Sequence, residues 1–187
     1  MKVGAGAFPA EGGCDCRAVR YRMESVPLFV HCCHCRRCQR ESGASFALNA
    51  MIEADRVTQL GLTPELVHTP SESGSGQLIA RCPYCRVAVW SNYASAGPLV
   101  RFVRVGTLDN PDLLPPDIHI FTASRQRWVV LPEGTPVVPI TTSAMTIGLP
   151  RAWPGARPFF RASRPTRLRA SRDGGPVARY SAALAAR

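Results

Sequence analysis

At 187 residues the chain has room for one domain with a substantial core, and little room for a second. Its formal net charge is +10, but residues 151–187 hold nine Arg against one Asp, a net of +8, which leaves about +2 for residues 1–150. The basicity belongs to a tail, which excludes a domain that is basic throughout, and no stretch approaches the roughly 20 apolar residues of a membrane helix.

In chain order, residues 1–10 read as a loose leader. They lack the large apolar run of an export signal, and Glu11 stands three before Cys14, where a lipoprotein cleavage site needs a large aliphatic residue. The expected setting is a reducing cytoplasm, where cysteines serve metals or catalysis. Val19, Tyr21 and Met23 alternate with Arg20 and Arg22, the pattern of a half-buried strand. Leu28-Phe29-Val30 leads into a cysteine cluster, and Arg36 to Ser42, stopped by Gly43, predicts about two turns of helix. Phe46 to Ile52 returns to a strand pattern. Short β-prone runs follow at Gln77 to Ala80, Val87 to Trp90, Leu99 to Val105, Ile118 to Phe121 and Trp128 to Leu131, separated by Pro, Gly, Asn and Ser. Many short strands and no long amphipathic helix predict a mostly β domain over residues 11–139, its small sheets pinned by metal. Beyond residue 140 the apolar periodicity ends, and a tail of Arg, Ala, Pro, Ser and Gly is expected to stay unordered.

Seven of the eight cysteines form three compact groups: Cys14-x-Cys16, Cys33-x-Cys35-x-x-Cys38 and Cys82-x-x-Cys85. Such turns point thiolates at one ion, and zinc is the expected metal, with iron and iron-sulfur clusters as the other takers of such sites. Disulfides are disfavoured because close-spaced pairs make strained bridges. A redox role for Cys82 and Cys85 lacks the helix that would follow them. Spacing leaves open whether Cys14 and Cys16 share an ion with the middle group or with the distant pair. Two pairs close a tetrahedron, whereas a triplet leaves a position free, so the count favours one structural and one reactive zinc.

Gly13-Cys14-Asp15-Cys16 with Ala18-Val19-Arg20-Tyr21, Cys33-His34-Cys35-Arg36-Arg37-Cys38-Gln39-Arg40 with Gly43-Ala44-Ser45-Phe46, and Cys82-Pro83-Tyr84-Cys85 resemble the glutathione-dependent formaldehyde-activating enzyme family, also called the centromere protein V domain family. Weaker agreement runs through Gly106 to Asp109, Pro116 to Ile120 and Trp128, so the resemblance covers about residues 11–135. It implies a β-tent fold with a short helix after the central cluster. It also implies a structural zinc on Cys14, Cys16, Cys82 and Cys85 and a second zinc on Cys33, Cys35 and Cys38. The implied activity is condensation of glutathione with formaldehyde, a carbon-sulfur lyase reaction, with the thiol activated at the open zinc. In two places the chain departs from the family pattern, which often has Gly after the second cysteine of the first and last groups. Here Arg17 and Arg86 stand there, and a slightly different turn is expected, since such a Gly serves a positive φ.

Arg36, Arg37 and Arg40 flank the middle cluster and are candidates for the carboxylates of glutathione. His34, between two ligands, is expected to point away from the ion, and His31 and Cys32 read as strand residues. His119 is a candidate proton donor or supporting group, and His68 reads as a loop residue. The rival reading is a non-catalytic zinc-stabilised module whose basic tail contacts nucleic acid or another polyanion. Nucleic acid is not the expected partner, because the basic residues lie outside the domain and no zinc-finger helix is spaced for it.

Overall fold

The computed structural model describes residues 7–94 and 96–140, so the expected tail beyond 140 and most of the leader lie outside the described residues. Eleven strands and one α-helix are seen there. They are β1 (Ala10–Gly13), β2 (Arg20–Met23), β3 (Phe29–Cys33), α1 (Arg36–Ser42), β4 (Ala47–Glu53), β5 (Val57–Gln59), β6 (Glu65–Thr69), β7 (Gln77–Arg81), β8 (Ala88–Tyr93), β9 (Val100–Arg104), β10 (Ile118–Ile120) and β11 (Val137–Val138). A three-stranded antiparallel sheet runs β1-β2-β5. A larger sheet runs β11-β10-β3-β4-β9-β8-β7-β6 and is antiparallel except where β10 pairs in parallel with β3 and β11.

The core forms where the two sheets meet. Tyr21 and Met23 point inward from β2, as the alternation of that strand requires, and are fully buried. They pack with Val30, Ala50, Ile52, Ala80, Trp90 and Val103 of the larger sheet, where the Val, Ile and Met side chains contribute about 1.5–3 kcal/mol each when wholly buried. The Tyr21 ring meets Trp90 edge-on at 5.8 Å, and the Tyr21 hydroxyl pairs with Thr107 Oγ1 at 2.7 Å. With one face of the large sheet committed to this core, the period of two sends His31 and Cys33 of β3 to the other face. The antiparallel register sets Asn49 opposite His31 and Arg104 opposite Asn49 on that same face.

The mostly β reading and the single short helix hold. The expected strand at Trp128 to Leu131 does not form: Trp128 is 72% and Val130 88% exposed, and only Val129 is buried in that run. Four strands had no expectation behind them. β1 begins at Ala10 and β11 spans only two residues, while β5 and β6 lie at sheet edges with mostly exposed side chains.

Candidate functional site

Two turns of the same construction bring the first and last cysteine groups together. In one, Cys14 N–H donates to Val19 C=O and Arg17 N–H to Cys14 C=O. In the other, Cys82 N–H donates to Val87 C=O and Arg86 N–H to Cys82 C=O, all four bonds at 3.0 Å. Arg17 (φ 65°) and Arg86 (φ 62°) occupy the left-handed region. The expectation of an altered turn is corrected: each arginine adopts the conformation that a glycine would take. The sulfurs of Cys14, Cys16, Cys82 and Cys85 all lie within 4.8 Å of one another. Cys14 to Cys16 is 3.5 Å and Cys16 to Cys82 is 3.6 Å, against an edge of about 3.8 Å for a tetrahedron with 2.3 Å zinc-sulfur bonds. Val19 N–H points at Cys14 Sγ at 3.3 Å. Backbone N–H groups of Cys16 and then Val87 pull the Cys85 thiol down to about 6. The geometry and the soft donors therefore fit a zinc ion.

Cys33, Cys35 and Cys38 form a second, buried group within the same 4.8 Å limit. Cys33 ends β3 and Cys35 is the N-cap of α1, its sulfur accepting from Cys38 N–H at 3.3 Å. Gly43, at φ 67°, closes the helix by donating to Gln39 C=O. Hydrogen bonds from Cys33 and then Cys38 hold Cys35 well below the usual thiol range, while the bond to Cys35, then that to Cys38 and burial push Cys33 up. Three sulfurs this close together are a donor set that suits a cation. None of the eight cysteines is paired in a disulfide.

Sequence reasoning missed the clamp on this group. The buried Gln39 side chain donates from Nε2 to His34 C=O at 2.7 Å and to Ser124 C=O at 3.0 Å, and Ser124 Oγ donates to the same His34 carbonyl at 3.0 Å. These bonds tie the Cys33–Cys35 turn to α1 and to the segment after β10. Also missed was a polar row beside Cys33. Arg104 donates to Asn49 Oδ1 at 2.5 Å, and Asn49 Nδ2 lies 3.2 Å from His31 Nε2. Burial, then the charge of Arg104, lowers His31 to about 4 and keeps it neutral. No local motif marks Ser124, Asn49 or Arg104, because they reach the cysteines only through nonlocal contacts.

His34 turns towards His119 (Nε2 to Nδ1, 3.0 Å) and Cys32 (3.6 Å), making a third compact group. Burial lowers both imidazoles, and His34 sits at about 4. Arg36 and Arg40 line a groove of about 530 Å³ together with Gln39, Gly43, Ala44, Ser45 and Gln126. It follows the helix stripe next to the one carrying Cys35 and Cys38. Arg37 is exposed and does not line the groove. His68 stands apart, against Gly76. No helix among the described residues is long and apolar enough to cross a membrane.

Residues 9–124, which hold all eight cysteines, match the sequence model of the family described as glutathione-dependent formaldehyde-activating enzyme. A protein of Halomonas elongata whose name carries the same description is 26% identical over 124 residues, 64% of this chain and 78% of that protein. The crystal structure of a Rhodobacter sphaeroides protein is similar at a TM-score of 0.44 and 22% identity, covering 57% of this chain and 96% of that one. The family match spans well over half of the sequence, from β1 through the three cysteine groups to Ser124, and on it the chain belongs to the glutathione-dependent formaldehyde-activating enzyme family.

Proposed function

We propose that the chain is a carbon-sulfur lyase-type enzyme joining glutathione, or a similar small thiol, to formaldehyde or another small aldehyde at Cys33, Cys35 and Cys38. The observation that carries the reading is the convergence of these three buried thiols, clamped from behind, in a member of this family. Cys14, Cys16, Cys82 and Cys85 would hold a closed structural zinc, and Cys33, Cys35 and Cys38 a second zinc with one tetrahedral position open. An ion at the open site supplies the positive charge that keeps a substrate thiol in its thiolate form at neutral pH.

The protein's own groups do the rest. Arg36 and Arg40 offer their groove to the carboxylates of the thiol, with Arg37 exposed beside them. Arg104, held by Asn49 on the same face of the sheet as Cys33, would offer a cation to the charge that develops on the aldehyde oxygen. As the carbon-sulfur bond forms, the carbonyl π pair moves to oxygen, and the proton given up by the thiol ends there. The product is an S-hydroxymethyl adduct, with no oxidant or reductant needed.

Cobalt-substituted protein tests this. Glutathione should shift the thiolate charge-transfer band, and Cys38→Ala should abolish the shift. S-methylglutathione keeps both carboxylates but cannot form a thiolate, so it should bind much more weakly and leave the band in place. If S-methylglutathione binds as well as glutathione and neither moves the band, the triad is not the thiol site.

A further inference from the structure

We infer that Cys32, His34 and His119 form a third, separate cation site, suited to a borderline divalent ion such as Zn²⁺ held by one thiolate and two imidazoles. Cys32 is the cysteine left over once the other seven are grouped as four and three. It sits on β3 one residue before Cys33, so its side chain leaves the strand on the opposite face from the triad. The parallel register sets His119 of β10 beside Cys32. The His34 backbone N–H donates to Ile120 C=O at 3.0 Å, which brings His34 back over the same strand. All three residues are buried.

The distances fit one ion. Cys32 Sγ to His34 Nε2 is 3.6 Å and His34 Nε2 to His119 Nδ1 is 3.0 Å. Bonds of about 2.3 Å to sulfur and about 2.0 Å to nitrogen make tetrahedral edges of about 3.5 Å for sulfur to nitrogen and about 3.3 Å for nitrogen to nitrogen. A plain hydrogen bond between the imidazoles accounts for the shorter contact alone. A neutral ring nitrogen carries either one hydrogen or one lone pair, so His34 Nε2 cannot satisfy both His119 and the Cys32 thiol. The outer nitrogens, His34 Nδ1 and His119 Nε2, are buried without partners. The same two atoms stay unpaired whether the inner nitrogens share a proton or a metal, so the ion adds no penalty there.

The test is the zinc content of the full chain after loading with Zn²⁺ and removal of unbound ion. Cys32→Ser and His119→Gln should each hold one equivalent less than the wild type. Cys38→Ser should lose a different equivalent, so that Cys32→Ser combined with Cys38→Ser loses two. Wild-type content in both Cys32→Ser and His119→Gln overturns the inference. If instead Cys38→Ser alone keeps its full content, the triad reading falls and the third site stands. Cadmium NMR of the loaded wild type decides the matter even if the variants fail to fold. A resonance upfield of both the four-sulfur and the three-sulfur signals, in the range of one sulfur with two nitrogens, supports the site, and its absence overturns it.

Discussion

Arg17 and Arg86 hold the conformation of a glycine without being one. A left-handed backbone costs a residue with a Cβ about 1–2 kcal/mol, so Arg17→Gly should stabilise the protein by about 1 kcal/mol once the extra backbone entropy of glycine is subtracted. Arg86→Gly should gain less, because Arg86 also pairs with the half-exposed Glu65, a contact worth at most about 1 kcal/mol. Urea titration measures both, and a loss of stability in Arg17→Gly would mean that the turn carries no strain. From the sequence, the position of these residues was legible but their conformation was not. Each turn is dictated by the two backbone bonds that close it, and the arginine follows. Likewise Cys32, His34 and His119 could be named singly, but nothing local says that 85 residues separate two rings in contact.

At the level of elements, α1 was readable to the residue because both of its ends are local. Cys35 caps the start, and Gly43 supplies the left-handed stop. Space around Gly43 is open, so Gly43→Ala should cost about 1 kcal/mol for conformation alone, measured as a shift in the urea midpoint with unchanged slope. Gln39 offers a sharper trial. Gln39→Glu keeps the shape but removes both amide donations and sets a carboxylate against two carbonyl oxygens. Zinc affinity at Cys33, Cys35 and Cys38 should fall roughly 10–100-fold, as for other supports of ligating groups, while the far-UV circular dichroism stays native. Unchanged affinity would reduce Gln39 to packing. The run at Trp128 to Leu131 misled because apolar β-prone residues predict a strand only where a partner offers backbone groups, and here the chain turns in the open. The edge strand β6 hid for the converse reason: with Leu66 57% exposed, it lacks the buried alternation that marks a strand.

For the whole molecule, the unequal roles assigned to the two cysteine groups predict unequal damage. A structural zinc supplies on the order of 10 kcal/mol, so Cys82→Ala should unfold the domain while Cys38→Ala leaves it folded. Circular dichroism with the reverse order would exchange the two roles. Removing residues 151–187, which contain no cysteine, should leave fold and zinc content intact, and any polyanion binding through that segment should weaken steeply with salt and vanish on truncation. Retained binding would place a polyanion surface on the domain itself. Spacing alone could not join Cys14 and Cys16 to Cys82 and Cys85, since that choice depends on how two sheets meet. The first turn links β1 to β2 of the small sheet, and the second links β7 to β8 of the large one. With Cys16 and Cys82 66 positions apart, an ion on these sulfurs closes a ring in the chain even before the sheets form. A cross-link of that span removes about 4 kcal/mol of freedom from the unfolded ensemble, so much of what chelation would release lies in the disordered chain and breaks no native contact between the sheets.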